Sequence, residues 1–214
     1  MRDINIKIVA WCFPLVFFAS LISWRFLDTW IALSVMERIK TFALLQHGTS
    51  DIPDILFLLA VTASGFFWSR YLLLRRQGIR NNQVLFCENA GTSIPLAYFL
   101  KWLFKIVFGR TNTRVWLANQ TDGGFHWFQG GGDYSSFPSG HMAVFTAFFT
   151  TVYLYYPRYR SISIGLVLIL AVSLIVTDYH FLSDVLAGGF LGLIVAVMTR
   201  YFFEKKIIAT KREL

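Results

Sequence analysis

The sequence predicts an all-α integral membrane protein: a six-helix bundle with an interfacial amphipathic helix between helices 1 and 2. Three observations predict it. The 214 residues are 56% hydrophobic and only 15% charged, with a mean hydropathy of +0.54, whereas about a quarter of the residues of a soluble domain are charged. Apolar stretches approaching the ~20 residues that cross a bilayer recur along the chain. The basic residues lie in short clusters between those stretches, which is how a membrane protein is oriented. That placement excludes nucleic acid as the reason for the net charge of +8. The length suits a single membrane-embedded domain, residues 1–214.

The spans are expected at 6–23, 52–74, 84–108, 142–156, 162–177 and 185–203. The third is the least apolar, because Glu88 and Lys101 lie in it. Arg2 and Lys7 precede the first run, but no small-x-small cleavage site follows it, so it is expected to stay as a helix. Between the first two spans, residues 24–50 place Phe26, Trp30 and Leu33, and again Ile31, Val35 and Ile39, at helical spacing. Glu37, Arg38 and Lys40 interrupt them, which suits a helix lying in the interface. Cys12 and Cys87 have no metal-ligand spacing and read as inert thiols.

Charge placement gives the topology. With both termini in the cytoplasm, most of the 20 basic residues fall on that side: Arg2 and Lys7, the Arg70–Arg80 cluster, Arg158 and Arg160, and the C-terminal run from Arg200 to Arg212. The segment 109–139 and the turn around His180 then face outward. So do Lys101, Lys105, Arg110 and Arg114, a basic cluster on the side the rule disfavours. An anionic ligand is a reason for it, since arginine grips phosphate oxygens in pairs and lysine adds a point charge. Snorkelling toward headgroups is the other reading.

Two motifs carry chemistry. Pro138-Ser139-Gly140-His141 precedes an apolar run. Proline suits the first helical turn, and the backbone N–H groups of Ser139, Gly140 and His141 are then open to an anion. Gly140 permits close approach, Ser139 adds a hydroxyl and His141 can protonate a leaving oxygen. A capped helix with an incidental histidine is the alternative. In the second motif, His180 and Asp184 are four residues apart and share a face on a continuous helix. A carboxylate on one imidazole nitrogen leaves the other as a nucleophile. The same spacing also suits Ser183 or Asp184 capping the last helix. His126 and Asp133, in the outer loop, are candidates for headgroup selection or simply solvated residues.

These residues resemble the phosphatidic acid phosphatase type 2 superfamily, whose signatures are Lys-x6-Arg-Pro, Pro-Ser-Gly-His and Ser-Arg-x5-His-x3-Asp. The second is present in full at 138–141, and the third matches at Ser173, His180 and Asp184, followed by Val185-Leu186-Ala187-Gly188. Two positions depart: Leu174 stands where the third signature has arginine, and Asn112-Thr113 stand where the first, counted from Lys105, has Arg-Pro. Arg110 matches an extra arginine of some members, and Arg114 lies two residues beyond the expected place.

The resemblance implies a lipid phosphate or diphosphate phosphatase acting through a phosphohistidine. By it, His180 attacks phosphorus, Asp184 orients it and His141 protonates the leaving lipid oxygen. Lys105, Arg110, Arg114, Ser139 and Gly140 hold the phosphate. It implies no metal and no other cofactor, a membrane lipid phosphate as substrate, no obligate protein partner, and a bacterial inner membrane with the site on the periplasmic side. Phosphatidylglycerophosphate, phosphatidic acid, an isoprenyl diphosphate and a lipid A phosphate are all candidates. A phosphotransferase using the same residues, and a degenerate lipid-phosphate-binding protein, are the alternatives.

Overall fold

The computed structural model describes residues 6–39, 52–79, 81–119 and 123–212. All its regular structure is helical; among the described residues there is no β-strand, only an isolated bridge between Arg110 and Phe125. The helices are α1 (Ile6–Ile22), α2 (Asp28–Ile39), α3 (Ile52–Arg76), α4 (Asn82–Phe108), α5 (Thr113–Asn119), α6 (Gly140–Tyr155), α7 (Arg160–Val176) and α8 (Leu182–Arg212). Single 3₁₀ turns occur at Gly132–Tyr134 and Pro157–Tyr159.

Helices form at each of the six places the sequence predicts. Among the described residues, three helices are long and apolar enough to cross a membrane: Val9–Arg38, Pro157–Val176 and Leu182–Lys205. This is the composition of a membrane protein, but it does not establish six spans. The 16 residues of α6 are fewer than the ~20 a full crossing takes.

The predicted separation of helix 1 from an interfacial helix is corrected. The helix runs on from α1 into α2 through a π-helical turn, Ser23–Leu27, as one 30-residue rod from Val9 to Arg38. Glu37 and Arg38 close this rod rather than marking a separate element. Residues 40–51 of the predicted amphipathic helix lie outside the described residues.

The core is built by α4, α6 and α8, with α3 against α4, α1 against α8 and α7 against α6. Two glycines let α8 lie directly on the backbone of α6. A Cβ at Gly188 would meet the Ser139 carbonyl oxygen at 2.4 Å, and one at Gly192 would meet that of Ala143 at 2.3 Å. Apolar helices gain little by hiding from lipid, so close backbone packing through small residues replaces the hydrophobic driving force. Much of α7 stays exposed, including Ile162, Leu168, Ile169 and Val172, as a lipid-facing helix requires.

Helix α4 fixes one end of the site. Asn81 caps it by accepting from the N–H groups of Gln83 and Val84. At its other end Gly109 has φ 54°, and its N–H returns to the Lys105 carbonyl. A side chain there would collide with His126 oxygen at 2.0 Å, so the loop after α4 can close over the helix end only with glycine at this position.

Candidate active site

The end of α4, the start of α6 and the turn between α7 and α8 meet at one end of the bundle. Ser139 ties two of them, its N–H donating to the Asp184 carbonyl at 3.0 Å. Helix α6 starts at Gly140, two residues later than a proline in its first position suggests. Ser139 is its N-cap, with the hydroxyl oxygen accepting from Met142 N–H at 3.4 Å, and Pro138 lies outside the helix behind a cis peptide bond. The cap leaves the N–H groups of Gly140 and His141 at the open, positive end of α6.

His180 and Asp184 are brought together, but not on one continuous helix. His180 precedes α8, and Asp184 lies in its first turn. Asp184 Oδ2 is 3.6 Å from His180 Nδ1, accepts from Phe181 N–H at 3.3 Å and accepts the Ser136 hydroxyl at 2.5 Å. Asp184 therefore caps the start of α8 and lies beside His180 at once. Ser136 Oγ is also 3.4 Å from His180 Nδ1. With the hydroxyl proton committed to Asp184, Nδ1 carries the imidazole proton and Nε2 carries the lone pair. Burial holds the His180 pKa below its usual value, and the Asp184 carboxylate opposes that shift.

His141 faces this pair from α6. Its ring centroid lies 6.4 Å from that of His180, and its Nε2 is buried without a hydrogen-bond partner among the described residues. Tyr179 packs edge-on against both imidazoles, at 5.3 and 5.2 Å. With 6.4 Å between their centroids, the two rings are too far apart to bond each other.

The cations divide into two kinds. Arg110 is 1% exposed and held by acids: one terminal nitrogen donates to Asp184 Oδ1 at 2.5 Å and Ser183 Oγ at 2.6 Å, the other to Asp28 Oδ2 at 2.7 Å. Its guanidinium also lies over the Phe181 ring at 4.4 Å. Both terminal nitrogens are thus engaged with protein, while Nε has no hydrogen-bond partner among the described residues. Lys101 and Lys105 differ. Lys101 crosses the start of α6: a Cβ on Gly140 would meet its Cδ at 3.1 Å and its Nζ at 3.5 Å. Lys105 is one turn further along the same face of α4.

The remaining predicted residues are peripheral. Arg114 donates to the Thr177 carbonyl at 2.9 Å and lies over the Tyr179 ring at 5.1 Å. It braces the α7–α8 turn. Leu174, in the place of the signature arginine, is buried with Met142 and Val185, and its carbonyl accepts from the N–H groups of Tyr179 and His180. Asn112, in the other departing position, holds the outer loop through Asp133 oxygen at 2.7 Å and Gly132 oxygen at 3.2 Å. His126 lies 3.3 Å from Thr111 Oγ1 with its ring on Tyr134, and Asp133 is exposed.

Sequence reasoning missed Asp28 and Ser136, and named Ser183 only as a candidate cap of the last helix. Asp28 carried a usable signal, being an acid set alone among Phe26, Leu27, Trp30 and Ile31. Ser136 carried none.

A family model of the PAP2 superfamily matches residues 89–208. Among curated proteins, the chain is 35% identical over 78 residues to a lipid A 1-phosphatase of Rhizobium johnstonii, covering 36% of this chain and 32% of that protein. It is 36% identical over 75 residues to a lipid A 1-phosphatase of Rhizobium etli, covering 33% of this chain and 32% of the relative. The matched stretch thus spans about a third of each relative's length. No solved structure matches the chain.

Proposed function

Since the chain belongs to the PAP2 superfamily, we propose that it is a membrane phosphatase that removes phosphate from a lipid phosphate or diphosphate through a phosphohistidine. The observation that carries this reading is the facing pair: His180, oriented by Asp184 at 3.6 Å, with His141 across a 6.4 Å centroid gap.

The placements support the following step. His180 Nε2 attacks phosphorus, the bond to the lipid oxygen breaks, and the His141 proton goes to that oxygen. Water then attacks the phosphohistidine, with His141 taking its proton, and inorganic phosphate leaves. Asp184 stabilises the charge His180 gains. The Gly140 and His141 amides, Lys105 and Lys101 meet the phosphate oxygens, with the Ser139 cap holding the amides in place. Arg110 acts one step back, on Asp184, and Arg114 holds the turn that carries His180. With amides and lysines neutralising the phosphate, turnover needs no metal; release lost to excess chelator and restored by Mg²⁺ overturns that part.

The relatives' names make a lipid A 1-phosphate the first substrate to test, ahead of phosphatidylglycerophosphate, phosphatidic acid and isoprenyl diphosphates. The basic clusters support an inner-membrane location with both termini cytoplasmic and the site on the periplasmic side. The test is phosphate release by the purified chain across that panel, with His180→Ala as control. The expected result is release from at least one lipid and a loss of about a thousandfold or more in the variant. No release from any lipid, or release that survives His180→Ala, overturns the reading. Added acceptor lipid separates hydrolysis from phosphotransfer.

A further inference from the structure

Asp28 lies outside the family-matched stretch, on the rod formed by α1 and α2, yet it is 1% exposed and joined to the candidate site by three hydrogen bonds. Its Oδ2 accepts from Arg110 at 2.7 Å and from the Ser183 hydroxyl, and its Oδ1 accepts from Ser183 N–H at 3.0 Å. The link onward to Asp184 runs through Arg110: the Arg110 nitrogen that bonds Ser183 Oγ also bonds Asp184. Asp28 thus caps the first turn of α8 from a distant helix and holds the arginine that holds Asp184.

The π turn explains how an acid in an apolar helix points inward. Ser23 and Asp28 are both buried, five residues apart, while Leu27 between them is exposed. Regular α-helical spacing of four would turn Leu27 inward after Ser23. In the wide turn, Asp28 N–H donates to Ser23 oxygen, five residues back, and the inserted residue puts Asp28 on the buried face.

We propose that Asp28 is a positioning residue of the site: it shares Arg110 with Asp184 and pins the start of α8, so that Asp184 keeps both its place and its negative charge against His180. The charges give the reason. Asp28, Arg110 and Asp184 sum to one negative charge, which the His180 Nδ1 proton faces. Without Asp28 the sum is zero, and Arg110 answers Asp184 alone.

This inference rests on His180 being the nucleophile, and its sign can be worked out. The groups facing His180 are Asp184 and Arg110, Ser136, Lys105 of α4, His141 of α6 and Tyr179 on its own turn. Asp28→Asn keeps the shape and removes one negative charge, so imidazolium becomes harder to form. The acid limb of the pH–rate profile therefore moves to lower pH.

The experiment compares wild type with Asp28→Asn, full chain in lipid vesicles, for kcat and KM against pH. His180 is also titrated directly by NMR with labelled histidine. The expected result is kcat lower by about tenfold, KM nearly unchanged, and both the acid limb and the His180 titration displaced to lower pH. Unchanged kcat and titration overturn the proposal, and so does lost activity with an unmoved limb, which marks a purely structural residue. If Asp28→Asn does not fold, Asp28→Glu takes its place: the charge is kept, so the limb stays at the wild-type pH while kcat falls; a displaced limb overturns the proposal. A wild-type protein that releases no phosphate refutes the phosphatase reading, while the NMR titration still decides the role of Asp28.

Discussion

Two polar clusters are buried in this bundle, and they are built on opposite principles. At the site end, Arg110, Asp28, Asp184 and Ser183 are joined by charge-assisted contacts near 2.5–2.7 Å. Mid-bundle, Asn89 of α4 donates to Tyr155 Oη and the Ala196 carbonyl at 3.4 Å, and accepts from Thr151 at 3.4 Å. Burial is equal, since Asp184, Asn89 and Thr151 are all at 0% exposure. The difference lies in what a missing member leaves behind. In the neutral cluster it leaves a dipole that can turn to a nearby carbonyl; in the charged cluster it leaves a bare ion in low dielectric. The first arrangement registers helices, while the second can hold one carboxylate still enough to orient an imidazole.

The largest effect should follow from removing the central cation. Arg110→Gln leaves Asp28 and Asp184 buried without it, a loss of about 3–5 kcal/mol, and unmoors Asp184 from His180. The expected outcome is a melting temperature lower by about ten degrees and phosphate release lower by about a hundredfold. Thermal unfolding in detergent and the release assay measure both. A tolerated Arg110→Gln would erase the distinction between the two clusters.

Lys101 sharpens the comparison from the other side. It is a cation with 8% exposure, packed over the Tyr98 ring at 4.0 Å, and no carboxylate within salt-bridge distance is found among the described residues. A buried charge without a counter-ion opposes folding, so its retention suits a ligand that arrives with negative charge. Lys101→Met is expected to raise KM by about tenfold, ~1.4 kcal/mol, and to leave stability equal or improved. Stability therefore moves the opposite way from Arg110→Gln, and a destabilised Lys101→Met would remove the argument.

How much of this was legible beforehand divides along the same line. Helix positions were, because apolar runs are local, and so were His180, Asp184 and His141, because each belongs to a short motif. The continuous first rod was not: a π turn leaves no mark on hydropathy, and Glu37 and Arg38 resemble an interface when they are only a helix end. Nor was the division of labour among the cations. Arg110 and Lys105 are equally basic in sequence, and only the approach of Asp28, 82 residues from Arg110, makes one a structural clamp. Leu174 and Asn112 read as gaps in a binding site, but each has a packing role of its own.

At the rim of the charged cluster, Asp178 gives a pH-dependent effect of middling size. It has φ 51°, its Oδ1 is buried without a hydrogen-bond partner among the described residues, and burial pushes its pKa up to about 6, opposed by Arg114. A carboxyl raised in the folded state favours folding below its unfolded pKa, and that contribution is lost as pH rises through about 6. Asp178→Asn should therefore match wild type near pH 4 and melt about 2–4 °C higher at pH 7.5. Asparagine also tolerates the positive φ. Equal melting at both pH values would show that the rim charge is already compensated.

The smallest effect belongs to the neutral cluster. Asn89→Leu removes three contacts of 3.4 Å and leaves Tyr155 and Thr151 to find other partners. Thr151 already donates to the Ala147 carbonyl at 2.9 Å, so its hydroxyl stays satisfied, and Tyr155 lies beside the Arg200 guanidinium at 5.5 Å. Replacing a weakly bonded amide by an apolar side chain of similar size in an apolar bundle costs within about 1 kcal/mol, and phosphate release should stay within about twofold of wild type. A fall in kcat as large as that of Arg110→Gln, with the fold intact, would mean that the mid-bundle cluster is energetically continuous with the site. Helix α4, which carries Asn89, Ser93, Lys101 and Lys105, would then be the physical link between them.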